Sequence, residues 1–280
     1  MLRILKRLFT QRKKDFVEYG LRQVEFMLRD DGVVQYAQWL HCGEFGNEVT
    51  QESVDFFRRY IERGDFVIDI GAHEGDTTVP MALAAGAEGL TLGLEPNPHV
   101  FRVLATNALL NTDKTRIVPL NFAATAEDGE FTFGSGDPSY GNGGIVGFTH
   151  NKRRNTRYTF TVTGKHLARY LQANYAVELP RLTFIKIDTE GYDKEILKAM
   201  SGLIATYRPY LVVECFGPSL PEEKVELFDV IAKHRYSLYW LNDFVLGENT
   251  PIERSAVAVK RTRNILAIPV EKERLRDART

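Results

Sequence analysis

Residues Phe66–Thr78 read FVIDIGAHEGDTT, and the rest of the chain is arranged around this stretch. Phe66, Val67, Ile68 and Ile70 flank Asp69 in an apolar run that predicts a buried strand. Gly71 and Gly75 then allow a sharp turn into a helix over Thr77–Ala85. Strand, glycine loop and helix together form a cradle for a nucleotide-like ligand. A dinucleotide loop spaces its glycines G-x-G-x-x-G so that helix N–H groups meet a diphosphate. Here the spacing is Gly71-x-x-x-Gly75, and Asp69, Glu74 and Asp76 sit in or beside the loop. Carboxylates repel a diphosphate and suit a ligand carrying an ammonium and a sulfonium, which is what S-adenosylmethionine presents.

Downstream, Gly89–Leu94 is a second apolar run that ends in Glu95, 24 positions after Gly71. A carboxylate at that tip can accept hydrogen bonds from both ribose hydroxyls. Nicotinamide folds share this geometry, so Glu95 alone does not choose between the two ligands. Pro98 opens a helix over Val100–Leu110, with Asn97 as its cap and Phe101, Leu104 and Leu109 facing inward. Arg116–Leu120 is a third strand, and Asn121, Phe122 and Ala123 at its tip lie where an adenine ring would rest. Asn121 can read the ring's edge, and Phe122 can either cover its face or pack in the core.

The segments DIGAHEGDTT, LEPNP, FIKIDTEGYDKEIL (184–197) and LVVEC (211–215) resemble the FkbM family of S-adenosylmethionine-dependent methyltransferases. The similarity runs in order from Gly32 to Pro269. It implies a Rossmann-like class I methyltransferase fold and O-methylation, often of sugar hydroxyls. The family's N-terminal part covers the donor pocket, which makes Phe45 and Glu48 candidate lid residues beside a plain surface role. Asp193 departs from the glutamate that many relatives carry.

The remaining chain fits an α/β protein: a mostly parallel seven-stranded sheet with helices on both faces and an N-terminal extension. The expected division is a basic segment 1–14, an extension 15–64, a methyltransferase domain 65–270 and a charged tail 271–280. Within the extension, Asp15–Arg29 has mixed periodicity that fits helix or strand. Val33–Leu40 reads as a strand or strand pair, and Ser53–Ile61 as a helix with Val54, Phe57 and Ile61 on one face. Gly129–Gly147 holds seven glycines and predicts a mobile or tightly turned loop. Tyr158–Val162 alternates like a strand, beside a basic cluster of Lys152, Arg153, Arg154 and Arg157. Lys165–Tyr175 is a helix and Leu182–Ile187 a buried strand. A helix over Lys194–Met200 and a strand over Tyr210–Val213 ending in Glu214 come next. Glu222–His234 is an amphipathic helix, and Ser237–Leu241 with Ile265–Ile268 close the sheet.

With 44% apolar and 26% charged residues the composition is that of an ordinary globular chain. A net charge of −1 provides no field for nucleic acid, and no aromatic and basic stripe appears. Cys42 and Cys215 are too few for a disulfide framework, so a reducing, cytoplasmic setting is expected. No apolar run is long enough for a membrane span. Residues 1–14 hold six basic side chains and no acid, with Leu2, Leu5, Leu8 and Phe9 at helical spacing. Such a segment lies on an anionic membrane surface, docks on its own domain or remains a solvated tail.

The donor site so read comprises Asp69, Gly71, Ala72, Glu74, Gly75, Thr77, Glu95, Asn97, Asn121, Phe122, Ala123 and Asp188. Ser139, Tyr140, Asn142, Glu190 and Tyr192 are the candidates for binding a small-molecule or glycan acceptor. An alcohol acceptor must lose a proton, and the candidate bases are Glu190, Asp188 and His73. Asp188, Glu190 and Glu214 also form a candidate oxygen-ligand set for a divalent cation, against a role for Glu214 in holding backbone N–H groups. Two other classes compete with the enzyme: a methyltransferase-like binding protein without turnover, and an NAD-dependent oxidoreductase. The acidic loop and the absent third glycine argue against the oxidoreductase.

Overall fold

A computed structural model of the chain describes residues 17–41, 46–137, 143–147, 158–247 and 249–273. The basic segment 1–14, Cys42, Phe45, Ser139, Tyr140, Asn142, the cluster at 152–157 and most of the charged tail lie outside these residues. The described part starts with an antiparallel hairpin, β1 (Leu21–Leu28) and β2 (Gly32–Trp39), so the ambiguous periodicity is strand over 21–28. Next is α1 (Gln51–Arg58), whose N-cap Thr50 accepts from the Ser53 N–H at 3.1 Å. The cap starts the helix two residues before the expected Ser53.

The nucleotide half then follows its reading closely: β3 (Phe66–Ile70), α2 (Thr78–Ala85), β4 (Leu90–Leu94), α3 (Pro98–Leu109) and β5 (Ile117–Leu120). Asn97 caps α3 by accepting from the His99 N–H at 3.0 Å, and Pro98 fills the first helical position. The inward stripe of α3 is Val100, Val103, Leu104, Asn107 and Ala108. Leu109, expected to face inward, is 78% exposed because it falls one residue past this stripe.

Gly129–Gly147 departs most from expectation. The structure here contains strands: β6 (Ala123–Thr125), β7 (Gly129–Ser135), β8 (Gly143–Ile145) and β9 (Tyr158–His166) form a second sheet in the order β6-β9-β7-β8. Its glycines make room for neighbours. A Cβ at Gly143 would come 2.5 Å from the Gly134 carbonyl oxygen, and one at Gly164 would come 2.4 Å from the Phe131 ring. Because β9 runs on to His166, the helix expected from Lys165 starts later, as α4 (Leu167–Asn174).

The second half contains β10 (Leu182–Ile187), α5 (Asp193–Ala199), α6 (Ser201–Tyr207), β11 (Tyr210–Cys215), α7 (Pro221–Ala232), β12 (Tyr236–Leu241), β13 (Thr250–Pro251) and β14 (Arg263–Pro269). The main sheet has the order β13-β12-β14-β11-β10-β3-β4-β5. The strands from β5 to β11 run parallel, while β14, β12 and β13 are antiparallel. The eighth strand, beyond the expected seven, is the two-residue β13.

Every residue of β3 is buried because both sheet faces are covered. Phe66, Ile68 and Ile70 pack with α4, α5, α6 and α7, and Val67 packs on the other face with Phe57 of α1 and Met81 of α2. The N-terminal hairpin adds its own layer. Leu28, Val34 and Tyr36 share a core with Val79 and Leu83 of α2, and Trp39 packs on Val100 and Val103 of α3. No helix among the described residues is long and apolar enough to cross a membrane. Cys215 is fully buried in β11, and burial pushes its thiol up to about 11, out of the reactive range.

Candidate active site

The strand order reverses between β3 and β10, and the crevice outside their carboxyl ends is where such sheets bind ligands. Gly71 makes the crevice possible. Its φ is +77°, and a Cβ there would lie 1.8 Å from the Asp188 carbonyl oxygen at the end of β10. Only glycine lets the two strand ends approach this closely. The turn is pinned to the next strand by the N–H groups of Gly71 and Ala72, which donate to the Leu94 carbonyl at 3.0 and 2.9 Å.

Asp69 faces α2 and is fully buried. One carboxylate oxygen accepts from the Thr77 and Thr78 hydroxyls at 2.8 and 2.7 Å, and the other accepts from Lys186 Nζ at 3.3 Å. Lys186, in the middle of β10, also lies 3.4 Å from Asp188 Oδ2 and donates to the Gly71 carbonyl at 3.4 Å. Its three ammonium protons are thus matched to three acceptors. Burial pulls this ammonium down, but Asp69, Asp188 and Asp76 outweigh it and hold its pKa well above the ordinary lysine value.

Beside this network is a cavity of about 360 Å³, within the roughly 300–1,000 Å³ typical of small-molecule sites. On the donor side it is lined by Gly71, His73, Asp76, Thr77, Glu95 and Asn97, with Ile70, Leu94, Val100, Phe122 and Ala123 as apolar wall. Glu95 is held by the His73 N–H at 3.0 Å and the Asn97 N–H at 2.8 Å, one on each oxygen. Each oxygen keeps a further lone pair for a ligand hydroxyl. Burial raises the pKa of Glu95 and of Asp76.

The lining also includes Asp188, Thr189, Glu190, Tyr192 and Glu214, together with Phe133 and with Gly143, Gly144 and Ile145 of β8. The turn after β10 is shaped by buried carboxylates. Asp193 accepts from the Thr189 and Gly191 N–H groups, both at 3.0 Å, and Glu214 accepts from the Glu190 N–H at 3.0 Å. Burial, then the nearby charge of Asp188, pushes both carboxyls up.

The cavity therefore brings together Gly71, His73, Thr77, Glu95, Asn97, Phe122, Ala123, Asp188, Glu190, Tyr192 and Glu214 from the sequence reading. Asp69, Ala72, Glu74, Gly75 and Asn121 are placed off its wall. Glu74 turns toward the hairpin, accepting from Tyr36 Oη at 3.1 Å, the Trp39 N–H at 2.9 Å and Asn47 Nδ2 at 2.8 Å. Asn121 donates to the Glu95 carbonyl at 2.8 Å. Phe122 is buried and packs edge-on against Tyr170 while also lining the cavity. Glu48 is exposed, and its neighbour Asn47 lines the cavity instead.

The site residues that sequence reasoning missed are Lys186, Asn47, Thr189, Phe133, Phe244 and β8. Lys186 had a signal: a charge at the centre of the apolar run Phe184–Ile187 calls for a buried partner. In the sequence Asp76 stands out only as part of the acidic loop. Phe244 comes from far along the chain with no local cue.

Among the described residues no group of three histidine, cysteine or acidic side chains is arranged to hold a metal ion. Asp188 is engaged by Lys186, and Glu214 by the Glu190 backbone.

A family model, the methyltransferase FkbM domain, matches residues 69–238. The chain belongs to the FkbM methyltransferase family. The hexuronic acid methyltransferase AglP of Haloferax volcanii is 24% identical over 201 residues, covering 70% of this chain and 76% of that protein. Among solved structures, an FkbM methyltransferase from Methylobacillus flagellatus superposes with a TM-score of 0.47 at 15% identity, over 74% of this chain and 44% of that longer one. Fibrillarin from Aeropyrum pernix with bound S-adenosyl-L-methionine gives a TM-score of 0.42 at 12% identity, over 90% and 99% of the two chains.

The protein is thus an S-adenosylmethionine-dependent methyltransferase, and its cavity suits that cofactor. The close approach at Gly71 brings the ends of β3 and β10 together at the floor of the crevice. With the cofactor bound, Glu95 would offer lone pairs to ribose hydroxyls, Phe122 and Val100 would supply an apolar wall, and the Asp76 and Asp188 carboxyls would face the cationic groups.

Proposed function

We propose that this FkbM methyltransferase methylates a hydroxyl of a sugar or another polyhydroxylated small molecule. One observation carries the reading: Asp188, Glu190 and Tyr192 line the same cavity as the donor-loop residues Gly71, His73 and Thr77. When bound, S-adenosylmethionine supplies an electrophilic methyl group on a sulfonium. Everything else is positioning and proton transfer by the protein. Holding two reactants in line in a closed site is worth up to about 7–11 kcal/mol. The acceptor hydroxyl must also lose a proton to a side chain within hydrogen-bond reach. Asp188 already takes the Lys186 ammonium, so we assign the proton to Glu190 and hydroxyl orientation to Asp188 and Tyr192.

The sugar class draws support from the Haloferax volcanii relative, a hexuronic acid methyltransferase. Acidic side chains on the acceptor side favour a hydroxyl over an anionic acceptor atom.

The test is transfer of label from methyl-labelled S-adenosylmethionine into a panel of uronic acids, neutral hexoses, glycolipids and acyclic polyols. We expect label in a sugar hydroxyl, and Glu190→Gln should lower kcat by about 10²–10⁴-fold with donor affinity retained. Tight donor binding with no label in any polyhydroxylated compound would sink the assignment.

A further inference from the structure

The turn that carries Glu190 is built in an unusual way. Glu190 has φ +58° and Gly191 has φ +106°, so a residue with a full side chain sits in the left-handed region beside a glycine that tolerates it. Among the described residues only five non-glycine positions do this, and only Glu190 and His73 of them line the cavity. Such a conformation persists when its surroundings over-determine it.

Here the surroundings are two carboxylates. Three successive N–H groups, of Thr189, Glu190 and Gly191, donate to Asp193 Oδ1, Glu214 Oε2 and Asp193 Oδ2, each at 3.0 Å. Asp193 comes from the first residue of α5 and Glu214 from β11, so the turn is gripped from two separate elements. Both carboxyls are buried, at 2% and 5% exposure, and neither forms an ion pair among the described residues. Burying two acids near Asp188 opposes folding, and the hydrogen bonds they accept from the turn offset that cost. β8 closes the other side: a Cβ on Gly144 would meet the Thr189 carbonyl oxygen at 3.1 Å and Glu190 Cβ at 3.2 Å.

We infer that Asp193 and Glu214 are positioning residues for methyl transfer, which hold the Thr189–Gly191 backbone so that the Glu190 side chain is presented to the acceptor. The inference deepens the proposed function and rests on its assignment of Glu190. It also gives Glu214 a task that requires an acceptor atom and no metal.

The experiment has one arm that depends on turnover and one that does not. In the ¹⁵N-labelled full-length protein, amide exchange at residues 189–191 is compared between wild type, Glu214→Gln, Glu214→Leu and Asp193→Asn. Donor affinity is measured by calorimetry, and kcat and acceptor KM are measured on whatever acceptor is found. Glu214→Leu should lose exchange protection at Glu190 and about 10²-fold in kcat, the order expected for a misplaced catalytic group, with donor affinity little changed. Glu214→Gln keeps a carbonyl oxygen and should restore most of both losses.

Unchanged protection and turnover in Glu214→Leu would overturn the inference. So would a Gln variant as impaired as the Leu variant, because charge or metal ligation would then be what matters. Should Glu214→Leu fail to fold, the wild type decides: amides at 189–191 exchanging as fast as open loops would overturn the grip, and protected amides that Asp193→Asn weakens would support it. A wild type that methylates no polyhydroxylated acceptor refutes the proposed function alone, since the exchange arm still reads the turn.

Discussion

Replacing Gly71 by alanine tests the site where donor loop and acceptor turn meet. Two penalties add. A φ of +77° is left-handed, which costs an alanine about 1–2 kcal/mol. The new Cβ would also stand 1.8 Å from the Asp188 carbonyl oxygen, against a floor of 3.0 Å that real Cβ atoms respect, so one of two packed strand ends must retreat by more than an ångström. Overpacking of that kind costs about 1–3 kcal/mol, for a total of about 2–5 kcal/mol. Gly32→Ala in the β1–β2 turn is the control, since its φ is +67° with nothing within 4 Å. Thermal melts should show Gly32→Ala destabilised by the conformational part alone, with donor affinity unchanged by calorimetry. Gly71→Ala should be destabilised further and should bind S-adenosylmethionine at least about tenfold more weakly, since a misplacement near 1 Å is expected to be felt strongly in such a site. Equal melting and equal donor affinity in the two variants would refute the reasoning that close approach, rather than backbone freedom, requires glycine.

Glu74→Ala should strand the Tyr36 hydroxyl, the Trp39 N–H and the Asn47 amide, at a cost of about 3 kcal/mol or more in chemical denaturation, while Glu74→Gln, which keeps one accepting oxygen and turns the other into a donor, should recover only part of that loss. Lys186→Met should be among the most damaging single changes, about 3–5 kcal/mol by the same assay, because it leaves buried Asp69 without its cation; adding Asp69→Asn should recover part of that loss. Glu214 gives a pH prediction. Its pKa is raised in the folded protein above the ordinary value of 4.5, so the native state favours the protonated form. Its contribution to stability is full below that ordinary value and is lost as pH rises through the folded value. Glu214→Gln should therefore melt higher than wild type at pH 7–8, and the difference should vanish near pH 4; a constant difference across that range would contradict it.

The nucleotide half was legible because β3, β4 and β10 are buried on both faces and read as continuous apolar runs. Gly71, Glu95 and Asn97 sit at strand ends next to those runs, so local spacing was enough to find them. Glu74 shows the limit of that reasoning. Its neighbours in sequence are donor-loop residues, but its partners Tyr36, Trp39 and Asn47 are brought to it only by the tertiary fold. The hairpin was ambiguous because β1 faces solvent for most of its length, so its pattern carries no clean alternation. The glycines of β7–β9 read as loop because their reason is the Phe131 and Phe133 rings packed against them, which no local rule reveals. Lys186 could have been found, since an ammonium inside an apolar strand demands acids opposite it.

The clamp made by Asn107 has a consequence for anyone recombining relatives of this enzyme. Its amide donates to the carbonyls of Glu74 and Ala37 and its oxygen accepts from the Ala37 N–H, joining one helix to a hairpin and a loop at once. A chimera that splices a foreign leader ahead of residue 65 would inherit a nucleotide cradle whose outer wall was cut away. Leader, cradle and helix should be exchanged as one inherited block.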